Sequence, residues 1–224
     1  MLHYEIHVTV QTKHPEEFKA KCQEIGVKPI ILDLQKKSGD VLCEVMTSST
    51  LSTYDTTVNE AKAEMLRISM GLAVDKEHFT VVRAKIETVP WHPMAPSEHN
   101  GRFHFGGSHY ETHFGVIVKS QEDVLALCMF AEDHKLHLSK NVLKRFDDGS
   151  FVQMVTYRSY TALKEDFELI VDSITRGIYN LGMTMEKTPK IEFAIYDTHA
   201  DHDADWLSGE KFEKAVYKVE KFDL

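Results

Sequence analysis

The chain has 224 residues, 42% apolar and 27% charged, with no biased tract. That is the composition of a folded chain, long enough for two units of roughly 100 residues, each with a modest core. A formal net charge of −9 repels a phosphate backbone, so duplex nucleic acid is set aside as a partner.

The N-terminus runs straight into Met1-Leu2-His3-Tyr4 with no basic region ahead of an apolar core, and no apolar run reaches membrane length. Cys22, Cys43 and Cys128 form no Cys-x-x-Cys pair and are expected as buried, reduced thiols of a cytoplasmic protein. The thirteen histidines are the first compositional sign of chemistry.

The elements follow in order. Residues 4–11 alternate Tyr4, Ile6, Val8, Val10 with Glu5, His7, Thr9, Gln11, the pattern of a half-buried strand. Pro15, Glu16 and Glu17 open a helix that ends near Gly26. Strands are expected at 29–35 and 41–48 around a Ser38-Gly39-Asp40 turn. Val58, Ala61, Met65, Ile68 and Leu72 put an amphipathic helix over 54–73, and a strand over 79–88 closes the set.

The same order then returns. A strand covers 110–118, Ser120 caps a helix to about 134, strands follow at 139–146 and 151–159, a helix at 163–181, and a last strand at 189–196. Residues 4–22 align with 110–128 through Tyr4/Tyr110, Glu5/Glu111, His7/His113, Val10/Val116, Lys13/Lys119, Glu16/Glu122, Ala20/Ala126 and Cys22/Cys128. Lys85-Ile86-Glu87 recurs as Lys190-Ile191-Glu192. The chain is therefore read as α+β, a tandem duplication of a ferredoxin-like β-α-β-β-α-β unit. Unit 1 spans 1–90, an ordered crossover 91–109, unit 2 110–197, and an acidic turn and tail 198–224. Each unit leaves one face of its antiparallel sheet open. Setting the faces together, or pairing the sheet edges, gives a cleft or barrel about a pseudo-twofold axis.

Alternation sends Glu5, His7 and Thr9 to the open face, with Arg83, Lys85 and Glu87 beside them and Glu111, His113, Lys190 and Glu192 in the second copy. One reading is structural: ion pairs such as Glu5–Lys85 and Glu111–Lys190 tie neighbouring strands, and the histidines complete hydrogen bonds between the halves. Another is a divalent-metal set of His7, Glu87, His113 and Glu192, two residues from each copy. In chemistry alone it is similar to metal-dependent enzymes of the glyoxalase type. Those modules lack the second long helix expected here.

His7-Val8-Thr9-Val10 resembles the His-x-Thr-x strand motif of the two-histidine phosphoesterases, which are also two-lobed duplications. The resemblance implies His7 and His113 as an acid-base pair acting without metal on a phosphodiester, with Thr9 on a phosphate oxygen. The second copy has Gly115 where that motif carries the hydroxyl. The functional expectation is a small anionic, phosphate-bearing ligand between the repeats, hydrolysed if the protein is an enzyme. A metal-dependent enzyme and a non-catalytic binding protein are the alternatives. No cofactor is favoured, and a divalent metal belongs to the first alternative.

The stretch 90–109, the crossover with Pro90 before it, carries Trp91, three prolines and four histidines, and is expected over the cleft mouth with Arg102 and His104 turned to an anion. Met46-Thr47-Ser48-Ser49-Thr50 precedes a helix and is read chiefly as its cap. Arg158 stands at the matching place, so one copy supplies hydroxyls and the other a charge. Asp201-x-Asp203-x-Asp205 resembles the start of a calcium loop, but Trp206 replaces the needed Gly, and it is read as a solvated turn.

Overall fold

The computed structural model describes residues 1–35 and 41–200. The first repeat is β1 (Leu2–Gln11), α1 (Pro15–Glu24), β2 (Lys28–Gln35), β3 (Val41–Thr53), α2 (Asn59–Ala73) and β4 (Thr80–Thr88). The second is β5 (His109–Val118), α3 (Gln121–Asp133), β6 (His137–Arg145), β7 (Phe151–Ser159), α4 (Lys164–Asn180), a two-residue β8 (Thr184–Met185) and β9 (Ile191–Asp197). The Ser38-Gly39-Asp40 turn and the Asp201–Asp205 acidic turn lie outside the described residues.

Local chemistry explains most boundaries. Pro15 sits in the first turn of α1 with Glu16 and Glu17, and Gly26 at φ 73° follows its end. Ser120 and Asp123 form a full capping box on α3. The Thr47–Thr53 hydroxyl run behaves differently from expectation. It continues β3, because Ser49 to Thr53 pair with Ile6 to Leu2 on β1. Asp55 then accepts the Thr57 N–H and hydroxyl, and α2 begins at Asn59 rather than 54. The hydroxyls therefore cap no helix.

Within the repeats the strand orders are β2-β3-β1-β4 and β6-β7-β5-β9, the ferredoxin-like arrangement. The two sheets join at both edges. β2 pairs with β6 at Leu32↔Asn141 and Leu34↔Ser139, and β4 pairs with β9 from Lys85↔Asp197 to Thr88↔Phe193. With β5 paired to both β7 and β9, the sheet closes on itself as an antiparallel barrel of eight strands, with β8 beside the end of β5. Edge pairing is thus the arrangement adopted, and it brings the open faces together as the barrel wall.

The apolar core lies between the outside of the barrel and the four helices. Ile6, Val8, Phe18, Cys22, Ile68 and Leu72 fill it in the first repeat, and Phe114, Val116, Leu127, Phe167 and Ile174 in the second. Cys22 and Cys128 are buried as expected, whereas Cys43 is exposed. No helix among the described residues is long and apolar enough to cross a membrane.

Tyr4 and Tyr110, equivalent in the repeats, both pin the crossover. The Tyr4 hydroxyl donates to the Asp55 carbonyl at 2.9 Å and meets His92 Nε2 at 3.0 Å, while the Met94 N–H donates to His92 Nδ1 at 3.1 Å. These roles fix His92 as the neutral Nε2–H tautomer, and burial lowers its pKa accordingly. The Tyr110 hydroxyl donates to the Pro96 carbonyl at 2.6 Å.

Candidate functional site

Closing an eight-stranded barrel leaves an interior wide enough for side chains and one small ligand. Here that interior holds a cavity of about 240 Å³ between the two repeats. Strand alternation decides its lining: outward residues meet the helices, and their neighbours turn in. β1 contributes Glu5, His7 and Thr9; β4 Arg83, Lys85 and Glu87; β5 Glu111 and His113; β9 Glu192; β7 Thr156 and Arg158. These include ten residues singled out from sequence: Glu5, His7, Thr9, Arg83, Lys85, Glu87, Glu111, His113, Arg158 and Glu192.

The cations are committed to carboxylates. Arg83 grips Asp197 with two hydrogen bonds of 3.0 and 2.6 Å. Lys85 Nζ lies 2.6 Å from Glu87 and 3.0 Å from Glu111, so it crosses from one repeat to the other. Arg158 is held by Glu111 through both Nε and a terminal nitrogen. The strand-tying pairs expected at Glu5–Lys85 and Glu111–Lys190 are replaced by these. Burial opposes charge on Lys85, but Glu111 and Glu87 outweigh it and raise its pKa. Burial likewise opposes charge on Glu87 and Glu111. Lys85 with His7 for the first, and Arg158 with Lys85 for the second, hold them well below the usual carboxylate range.

Each histidine is oriented by the neighbouring strand. His7 Nδ1 lies 3.1 Å from the Thr47 carbonyl and His113 Nδ1 2.8 Å from the Thr156 hydroxyl. Their Nε2 atoms therefore face the interior, 3.1 Å from Glu87 and 2.8 Å from Glu111. Burial works against both imidazolium forms. Glu87 overcomes it at His7, and Glu111 with Glu192 at His113, so both pKa values are raised. Glu192 is the exception among the carboxylates. Burial and then the charge of Glu87 push its pKa up to about 7. Ligand atoms of Glu87, His113 and Glu192 all lie within 4.8 Å of one another.

A larger cleft of about 750 Å³ adjoins the cavity and shares Glu5, Glu87 and Glu192 with it. Trp91 of the crossover and Pro90 before it, with Lys190 and His3, line this cleft. Part of the crossover thus lies at the mouth, but Arg102 and His104 line neither space. Arg102 is exposed, and both ring nitrogens of His104 face backbone carbonyls, Ser108 at 3.1 Å and Ala162 at 2.8 Å. His104 fastens the crossover rather than facing a ligand.

Sequence reasoning placed Glu5 and Glu111 on the inner face but not at the centre of the network. Glu111 touches Lys85, His113 and Arg158. Its position as the copy of Glu5 was the available signal. Asp197 and Glu44 were missed. Glu44 lies at the position in β3 where alternation turns a residue inward, opposite Leu32. The copies do diverge where expected: Ser48 donates to Glu5 at 2.7 Å, and Arg158 takes the matching place on Glu111.

The resemblance to two-histidine phosphoesterases is corrected. That family's two lobes face an open cleft, whereas these repeats share one closed sheet. Each Nε2 is engaged by a glutamate, and Arg83, Lys85 and Arg158 in the lining are each paired with carboxylates rather than turned to a phosphodiester. No family model matches the chain, and no curated protein matches it. Solved structures that overlap it in part are of other kinds. A mutant chlorite dismutase from Candidatus Nitrospira defluvii shares 12% identity over 86% of this chain and 91% of that one, TM-score 0.29. The same bacterium's chlorite dismutase in complex with imidazole gives 13%, 86%, 90% and 0.28. A dye-decolorizing protein from V. cholerae gives 8%, 85%, 93% and 0.28. Likeness this slight assigns the chain to no family, and the site stands on its own geometry.

Proposed function

We propose that the barrel interior binds a divalent metal through Glu87, His113 and Glu192, with His7 beside them, and uses it on a small molecule entering by the mouth. The observation that carries this reading is the convergence of those three ligand atoms within 4.8 Å, from strands of both repeats. Two carboxylates with one or two imidazoles suit zinc, manganese or ferrous iron. Both histidines turn Nε2 inward while Nδ1 is tied to an oxygen, which is how protein-held metals keep their imidazoles oriented. Burial, and after it the charge of Glu87, push the Glu192 pKa up to about 7, and a cation there would offset both. A bound ion would polarise a substrate oxygen or acidify a bound water. The protein's own part is to hold the ligands. Lys85 and Arg158 fix Glu111, and the Thr156 hydroxyl fixes His113 through Nδ1, so that Nε2 would exchange Glu111 for the ion. A free anion has no unpaired cation to meet among the cavity-lining residues, so the expected anionic ligand is replaced by a cation first and an oxygen donor after it.

The test is metal content of the purified protein, then calorimetric titration of chelator-stripped protein with Zn²⁺ at pH 6, 7 and 8. One ion per chain is expected, bound more tightly as pH rises because binding displaces protons from His113 and Glu192. Glu192→Gln and His113→Ala should each weaken it at least tenfold. Wild-type affinity in both variants would overturn the assignment.

A further inference from the structure

Most of the interior's carboxylates lie on one side; the other side carries its apolar side chains, with Glu44 of β3 beside Leu32 and Arg158 of β7 among them. Glu5, Glu87, Glu111 and Glu192 come from β1, β4, β5 and β9, which are contiguous around the barrel. Across from them, Ile30 and Leu32 on β2, Met46 on β3 and Met154 on β7 line the same cavity. Their inward aim follows from alternation: the intervening Ile31, Val45 and Val155 are buried among the helices. Ile30 and Met46 are register partners, so this is one patch rather than scattered side chains. All four remain partly exposed where they line the cavity. An apolar surface left facing a wet interior is what an apolar guest removes from water, and two thioethers adapt readily to a guest's shape.

Size and charge narrow the guest. An apolar cavity of about 150 Å³ holds benzene, so about 240 Å³ holds one substituted ring or a chain of similar bulk. With Arg83 taken by Asp197, five lining glutamates face Lys85, Arg158 and a divalent ion, leaving the interior slightly negative. That disfavours a dianion and admits a neutral or singly charged molecule.

We infer that the cavity takes a small amphipathic organic molecule, neutral or singly charged and the size of one substituted ring. Its apolar body lies on Ile30, Leu32, Met46 and Met154, and an oxygen donor turns toward Glu87, His113 and Glu192. The placing of the oxygen donor and the limit on the guest's charge rest on the metal reading above; the placing of the body does not. Entry is through the mouth, past Trp91 and the shared Glu5, Glu87 and Glu192.

The experiment uses full-length protein labelled with ¹³C at the methionine methyls, titrated with p-cresol, 1,2-propanediol and benzohydroxamate, with and without Zn²⁺. Saturable shifts of the Met46 and Met154 signals by p-cresol are expected, with the surface Met70 and Met129 unmoved and propanediol at least tenfold weaker. Met154→Gln and Met46→Gln, checked for unchanged melting, should each weaken p-cresol at least fivefold. Zn²⁺ should tighten benzohydroxamate at least tenfold. Unmoved Met46 and Met154 signals, or equal affinity for propanediol and p-cresol, would overturn the inference even if zinc binds. Movement of both signals with no effect of zinc on benzohydroxamate would uphold the apolar pocket and sink the metal reading instead.

Discussion

Glu192, His7 and His113 share a direction of pKa shift, and that direction has a consequence for stability. All three are raised, so each stabilises the fold while protonated: Glu192 below its ordinary 4.5, the histidines below their ordinary 6.5. Each contribution disappears as pH rises through the folded value, about 7 for Glu192. Glu87 and Glu111 are shifted the other way and matter only in acid. Chelator-treated protein should therefore lose stability from pH 5 to 8, by an amount of order 3 kcal/mol from Glu192. Urea melts across that range check it, and Glu192→Gln should flatten the trend; a rise toward pH 8 would contradict it. A second residue-scale test concerns Tyr4. Tyr4→Phe leaves the buried His92 Nε2–H and the Asp55 carbonyl without the hydroxyl they share, which should cost about 1–3 kcal/mol. The corresponding Tyr110→Phe loses one bond, to Pro96, and should cost less. The facing of these residues was legible, because alternation along a strand assigns each side chain a side. Their partners were not: Lys85 reaches Glu111 across a seam between repeats, a pairing that no spacing within either repeat encodes.

At the scale of elements, periodicity located every strand and helix of the β-α-β-β-α-β pattern, since amphipathic faces over a barrel must repeat at 2 or near 3.6. The errors fell where side-chain hydrogen bonding competes with that signal. β3 runs on to Thr53 because its hydroxyl run pairs with β1, and Asp55 then delays the helix. The two-residue β8 is too short to leave a pattern. Helix packing carries its own prediction. A Cβ at Gly177 of α4 would lie 2.4 Å from the Phe130 ring of α3. Gly177→Ala should therefore destabilise by about 1–3 kcal/mol, despite alanine's better helix propensity. Adding Phe130→Leu should recover part of the loss, and a double-mutant cycle by thermal melting measures the coupling.

At the scale of the whole molecule the duplication was legible and its closure was not. Both open-face and edge-to-edge assemblies satisfy the same hydrophobic pattern, and the choice is made by backbone pairing at the β2–β6 and β4–β9 seams. A fragment of residues 1–90 would expose both edges together with the charged inner face. Unpaired edges recruit other strands, so the fragment should run as a dimer or larger species by size-exclusion chromatography, and a stable monomer would show that the seams contribute little. Closure also sets what the duplication can express. A barrel of two identical chains must present every inner residue twice, so any charge placed at one seam is mirrored at the other. One chain with two unequal copies escapes that constraint. Here Arg158 neutralises Glu111 on the inner side, while Glu5 near the mouth meets the Ser48 hydroxyl and, at 3.5 Å, His7 in place of a guanidinium. The interior thereby acquires a polarity along its own depth, compensated at the far end and electron-rich at the entrance, that draws a cation inward and fixes which end of a guest arrives first.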